Sequence, residues 1–316
     1  MNILDSVIQG TVQGLTEFLP VSSSGHLLLA QHILGVRENN LFFNVMLHIG
    51  TLVAVLAVYY KTVWNLIKAF FGILGDVFTG KFDFKKLNSD KNTVIMIIIG
   101  LIPLFMLFMP VPGSGTNIKG VAEELASEKN IIIVGISLLI TSVLLKMGIN
   151  HRKSAKFSYA YVDSNNNKRV WDGRTRLNVM DAVWIGVTQL VASIFPGISR
   201  SGSTLSTGLL RGVNKQTALD YSFILGIPAI VAAAALELKD AVKDGFTLSA
   251  ETMPIVVGMI VSAVVGFLSI KLFKWLLKTD KMIIFVVYTF IVGLAAVIIG
   301  IIENCLGVNI FTGFSL

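Results

Sequence analysis

Two short polar runs stand out of an otherwise apolar chain of 316 residues. The first contains Gln13, Glu17, Pro20, the serines Ser22, Ser23 and Ser24, then Gly25 and His26. Gln13 and Glu17 are four apart, so on a helix they share a face. A carboxylate inside apolar sequence is costly to insert in a membrane, about 2.5–3.5 kcal/mol, and is a functional candidate by default. His26 follows Ser23 by three residues, where an imidazole could serve the hydroxyl as a base or itself attack an electrophile. The second run is Pro196-Gly197-Ile198-Ser199-Arg200-Ser201-Gly202-Ser203-Thr204. Glycine allows a tight turn and a close backbone approach. A helix starting there would aim its unpaired N–H groups and positive dipole end at an anion. The planar fork of Arg200 matches phosphate or carboxylate oxygens. Joined, the runs offer a Ser/His group with an acid on one side and an oxyanion grip on the other. That is equipment for phosphoryl transfer or hydrolysis.

These runs must be positioned by membrane helices. Apolar residues make up 54% of the chain and charged ones 14%, against roughly a quarter charged in soluble domains. Six helical crossings are expected near 41–60, 93–110, 131–148, 217–237, 253–273 and 282–303, each about as long as 30 Å of hydrocarbon requires. Segments 3–34 and 179–211 are apolar but broken by Pro20 and Pro196. Each reads as a re-entrant helix-loop-helix, entering and leaving by one face. With both termini outside, 20 of the 26 basic residues fall on the cytoplasmic side, 5 outside, and Arg200 within the membrane. The positive-inside rule predicts that split. The net charge of +7 is therefore a topology signal, and a nucleic-acid role is excluded. The one cysteine, Cys305, rules out internal disulfides and cysteine metal clusters. It reads as packing. No secretory leader is visible at the N-terminus.

A shift of 176 positions aligns Gly10 with Gly186, Gln13 with Gln189, Pro20 with Pro196, Ser23 with Ser199 and Gly50 with Gly226. Three expected crossings separate the copies, so the second is inverted and the two loop tips can meet near the midplane. The fold expected is all-α and polytopic: six transmembrane helices plus two re-entrant segments in an inverted-topology repeat. It forms a single integral membrane domain over 1–316, with repeat 1 at about 1–148 and repeat 2 at about 178–316. The hydrophilic connection 149–177 between them is cytoplasmic, expected as a small hairpin without chemistry. Inverted repeats with broken helices are also a transporter architecture.

At these residues the chain resembles the undecaprenyl-diphosphate phosphatase family, the bacitracin-resistance-type membrane phosphatases. Gly14–His26 (GLTEFLPVSSSGH) and Pro196–Thr204 (PGISRSGST) are similar to its two signatures, and spacing and hydropathy agree over nearly the whole chain. The resemblance implies conversion of undecaprenyl diphosphate to the monophosphate lipid carrier of peptidoglycan synthesis, at the bacterial plasma membrane. It implies a divalent cation, Mg²⁺ or Ca²⁺. It implies catalytic roles for Glu17, Ser23, His26 and Arg200, with Ser22, Ser24, Gly197, Ser199, Ser201 and Thr204 around the phosphates. The family's acidic motif has Glu or Gln at its first position; Gln13 stands here, so Glu17, with Gln13 beside it, would carry the metal. Ser23 with His26 as base, His26 itself, or water are the alternatives for the nucleophile. Apolar helices between the halves would take the prenyl chain. Monomer and homodimer are both open.

Two other classes compete on the residues alone. A lipid or organic-anion transporter would use the same inverted architecture but release no phosphate. An intramembrane serine protease would use Ser and His but has little use for a buried Arg200.

Overall fold

The computed structural model describes residues 2–35, 41–113, 115–127, 131–152, 159–162, 168–243 and 252–315. Helix α1 (Ile3–Phe18) begins at a capping box: the Asn2 side chain accepts from the Asp5 amide, and the Asp5 carboxylate accepts from the Asn2 amide. Helix α7 (Val179–Ile194) repeats this with Asn178 and Asp181 and has the same 16 residues. Each box satisfies N–H groups that the first helical turn leaves unpaired. Both helices stop where proline forbids continuation. The chain turns at Pro20 and at Pro196, then re-enters helix as α2 (Ser23–Leu34) and α8 (Arg200–Leu210). Ser22 caps α2 by accepting from the Gly25 amide at 3.2 Å, and Ser199 caps α8 by accepting from Gly202 at 3.0 Å.

Those caps correct the ungapped alignment at the tips. The second turn is one residue longer, because Gly197, at φ 95, adds a step that only glycine takes without strain. Ser22 therefore corresponds to Ser199, and Ser23 to Arg200, rather than Ser23 to Ser199.

Among the described residues six helices are long and apolar enough to cross a membrane. They are α3 (Leu41–Phe78), α4 (Ser89–Leu101) with its 3-10 continuation Ile102–Phe108, α6 (Ile131–Arg152), α9 (Lys215–Lys243), α10 (Thr252–Lys278) and α11 (Ile283–Leu306). A short helix α5 (Ile118–Ser127) precedes α6. All six expected spans are present, with changed ends. Helix α3 runs to Phe78 rather than 60, bending at Tyr59. Its charged extension stays helical because Leu66 and Ala69 are buried and Asp76 pairs with Lys91 of α4. Helix α4 tightens to 3-10 from Ile102, because Pro103 cannot donate within an α-helix. Helix α6 continues past 148 to Arg152, whose guanidinium is held by Asp172 and Asp280 at 2.8 Å each. The hairpin expected in 149–177 is there, β1 (Tyr159–Val162) pairing antiparallel with β2 (Lys168–Trp171).

Small residues decide how closely helices approach. Helix α1 lies along α10, where a Cβ on Gly10 would collide with the Gly258 carbonyl at 2.6 Å. Helix α6 crosses α11 where a Cβ on Gly135 would meet the Gly293 carbonyl at 2.8 Å, and one on Gly293 would meet the Gly135 carbonyl at 2.9 Å. The opposite face of α11 exposes Ile284, Val287, Ile291, Leu294 and Ile298, an apolar stripe suited to lipid.

Candidate active site between the two loop tips

The tips interlock. Ser201 Oγ donates to the Leu19 carbonyl at 3.2 Å, and the Gly197 amide donates to Ser24 Oγ at 3.4 Å. Gly25 abuts the Gly197 backbone, with room for no Cβ between them. From α6, Thr141 Oγ1 accepts the Ser199 amide at 3.0 Å, pinning the second tip.

Glu17, near the end of α1, sits at this junction with its side chain 4% exposed. Arg200 Nη2 donates to Glu17 Oε1. Ser23 Oγ donates to Oε2 at 2.7 Å, and Gln13 Nε2 donates to the same oxygen at 2.9 Å. Ser23 and Arg200 are each the first residue of a returning helix, so one carboxylate joins both helix starts. His48 of α3 adds a further group: its Nε2 lies 3.6 Å from Glu17 Oε2, and its Nδ1–H donates to the Asn44 carbonyl at 2.8 Å. Behind Arg200, α9 presents Gly226, where any Cβ would strike the guanidinium.

A cavity of about 340 Å³ opens at these groups. Glu17, Ser22, Ser23, Ser24, His48, Ser193 and Arg200 supply its polar wall. Ala229, Ile230, Ala233 and Ala234 of α9 form an apolar flank. Two capped helix starts face the junction, and their positive dipole ends favour an anion there.

The placement of the expected residues is uneven. Gln13, Glu17, Ser23 and Arg200 form one hydrogen-bonded cluster, and Ser22 and Ser24 line the cavity beside it. His26 does not meet Ser23. Its Nδ1 is held by the Ser22 carbonyl and its Nε2 by Tyr288 Oη of α11, both at 2.8 Å, so neither ring nitrogen is turned to that hydroxyl. Gly197, Ser199, Ser201 and Thr204 stand behind the cavity wall. Gly197 makes the turn, Ser199 caps α8, and Ser201 bridges to the first tip. Thr204 Oγ1 donates to the Arg200 carbonyl at 2.8 Å and meets Ser222 Oγ at 2.5 Å. Their hydroxyls are engaged in building the tip, not in facing a ligand. His48 and Ser193 were missed by motif reasoning. For His48 the available signal was an imidazole inside an apolar span, which is functional by default.

Cation capacity rests on few groups. Among the described residues no cluster of three or more His, Cys, Asp and Glu side chains exists. Glu17 brings a carboxylate whose Oε2 accepts from Ser23 and Gln13, and Gln13 Oε1 is a buried acceptor with no partner. One carboxylate and one orphaned amide oxygen fit an ion that keeps water and takes its remaining ligands from substrate phosphates.

Comparison with known proteins finds matches over most of the chain. The family described as "Bacitracin resistance protein BacA" matches residues 6–295. A protein of Methanosphaera stadtmanae, named undecaprenyl-diphosphatase, is 35% identical over 96% of this chain and 99% of its own. One of Alkaliphilus metalliredigens with the same name is 36% identical over 93% of this chain and 97% of its own. One of Methanobrevibacter smithii, again so named, is 34% identical over 93% and 96%. This chain belongs to the bacitracin resistance protein BacA family.

Proposed function

We propose that this protein is an undecaprenyl-diphosphatase of the bacterial plasma membrane. It hydrolyses undecaprenyl diphosphate to undecaprenyl phosphate and phosphate, recycling the lipid carrier of peptidoglycan synthesis and so conferring bacitracin resistance. The observation that carries this reading is the Glu17–Arg200 pair, which joins two helix starts in one cavity with four serines. The relatives are named for a diphosphatase, and that favours hydrolysis over transport.

The topology we infer is six crossings plus two re-entrant segments, with both termini outside. Helices α1 and α7, at 16 residues each, span only about 24 Å, short of the roughly 30 Å core. The matched capping boxes support a duplication, with 1–148 and 178–316 as the repeats about the connection 149–177. So does the matched pair of close approaches, Gly10 against Gly258 and Gly186 against Gly100. In this orientation the cavity faces outward, since its apolar flank lies on the later half of α9 and its rim includes Ala122 of α5. The prenyl chain would leave along that flank.

The mechanism follows from the cluster. Arg200 and the α8 start grip the diphosphate, and the incoming phosphate takes over the guanidinium from Glu17. Glu17 Oε2 takes the proton of Ser23 Oγ, its present hydrogen-bond donor. Ser23 Oγ then bonds to the terminal phosphorus as the phosphoanhydride bond breaks, and undecaprenyl phosphate leaves. Glu17 passes that proton to the leaving undecaprenyl phosphate, next deprotonates a water that attacks the phosphoserine, and returns the second proton to Ser23 Oγ as phosphate is released. Glu17 and Gln13 Oε1 would hold the divalent cation, which neutralises charge on the phosphates when bound. Gly197, Ser199, Ser201 and Thr204 maintain the second tip. Purified protein in detergent should release phosphate from undecaprenyl diphosphate, and Glu17→Ala and Arg200→Ala should not. Full activity in either variant, or none in the wild type, overturns the reading.

A further inference from the structure

His48 is not part of either loop motif, yet it is the imidazole that reaches the Glu17 cluster. Its tautomer is fixed by geometry. A carbonyl only accepts, so Nδ1 carries the proton given to Asn44 O at 2.8 Å, and in the neutral ring Nε2 presents a bare lone pair. That lone pair faces Glu17 Oε2 at 3.6 Å. Two acceptors facing each other need a positive partner between them. A shared proton would draw them to about 2.7–2.9 Å, well inside the observed gap. A shared metal suits the wider gap better, because two atoms bound to one ion stand farther apart than two atoms sharing a proton. A metal-bound imidazole also characteristically donates its other N–H to a carbonyl or carboxylate, as His48 does. A second observation in the same cluster is Gln13, whose Nε2 donates to Glu17 Oε2 and whose buried Oε1 has no hydrogen-bond partner. His26 lacks this disposition, because Tyr288 occupies its Nε2.

We propose that His48 Nε2 is a ligand of the divalent cation held at Glu17 and Gln13, giving this site one nitrogen where an all-oxygen site is expected. Oxygen-only sites suit Mg²⁺ and Ca²⁺, whereas imidazole draws first-row transition ions. The nitrogen therefore turns preference away from Ca²⁺ and toward first-row transition ions, for which Mn²⁺ serves as the paramagnetic probe. This rests on the diphosphatase reading of the same cavity.

The test loads Mn²⁺ onto purified full-length protein with methylenediphosphonate, a diphosphate analogue that is not hydrolysed. Electron spin-echo modulation then reads any nitrogen bonded to the ion. The wild type should show coupling to one imidazole nitrogen, visible as an isotope change when histidine is labelled with ¹⁵N. His48→Gln should lose that coupling and bind Mn²⁺ roughly tenfold or more weakly, with Ca²⁺ affinity little changed. His26→Gln should keep the coupling. Absence of Mn²⁺ binding, absence of nitrogen coupling in the wild type, or coupling that survives in His48→Gln each overturns the proposal. The wild-type spectrum alone can do so, whatever the variant's folding. Phosphate release by the same wild-type preparation reports separately on the diphosphatase reading.

Discussion

Gly226→Ala separates catalysis from stability, because the new methyl meets a side-chain end rather than backbone. A Cβ there would lie 2.9 Å from Arg200 Cζ and 3.1 Å from Nη2, with Nη1 nearer still, whereas ordinary contact begins at 3.4 Å. The guanidinium must withdraw by roughly 0.5–1 Å to restore carbon contact distances. It is the far end of a flexible side chain, so folding should lose no more than about 1–2 kcal/mol. Catalysis is less tolerant: a displacement of about 1 Å in a positioning group costs about 10²-fold, near 2.7 kcal/mol of barrier. The assay is kcat/KM for phosphate release from undecaprenyl diphosphate, beside a thermal unfolding midpoint in the same detergent. Gly50→Ala is the control. Its Cβ would strike the Met259 carbonyl and lie 3.1 Å from Ser262 Cβ; backbone cannot withdraw, so that variant should lose midpoint first. If Gly226→Ala keeps activity within about threefold of wild type at an unchanged midpoint, the placement of the Arg200 guanidinium is not what the reaction depends on, and the argument fails.

Arg200→Ala should cost about 3–5 kcal/mol of stability by leaving the Glu17 carboxylate buried without its partner. Glu17→Ala/Arg200→Ala should recover part of that midpoint while remaining inactive; a double variant less stable than either single one contradicts the pairing. Under single-turnover conditions with substrate labelled in its terminal phosphate, acid quench should leave label on Ser23 and none in Ser23→Ala. Label on His26, or on no residue, refutes the serine route. At the loop joining α10 to α11, burial alone would raise the Asp280 carboxyl, but the Lys215 hydrogen bond and the charges of Arg152 and Lys215 outweigh it and hold it below its ordinary value. A depressed folded value stabilises above the unfolded pKa of about 3.9 and is lost as pH falls through the folded one. Asp280→Asn should thus lower the unfolding midpoint at pH 7, by up to about 1 kcal/mol for a half-exposed pair. The difference should shrink as pH falls below the unfolded value, and a gap that widens on acidification contradicts the sign.

Much of the architecture was legible because it depends on local rules. The breaks at Pro20 and Pro196 follow from a missing N–H, and the six spans from uninterrupted apolar runs. Hydropathy misjudged the end of α3, since helix continues past the expected membrane exit wherever packing and ion pairs persist, here until Gly80 at φ 66. It also extended α-helix through Pro103, where the chain tightens instead. In the site, Gln13, Glu17, Ser23 and Arg200 were recoverable from type and spacing. The Ser23–His26 partnership was not: three residues on a helix place two groups near one another, but which neighbour each ring nitrogen chooses is set by Tyr288, 262 positions away.

The sequence by itself determined that this is a multi-pass membrane protein with two proline-broken polar turns, because apolar run length, proline and basic-residue asymmetry act through the chain's own backbone and its solvent. Only the tertiary structure decided what the turns do to each other. Glycine contacts between α1 and α10, and between α6 and α11, are close enough to bring the tips together. There Glu17 meets Arg200 from 183 positions along, and His48 arrives from a third helix. Hydrogen bonds of about 3 Å depend on that convergence, and no spacing along the chain encodes it.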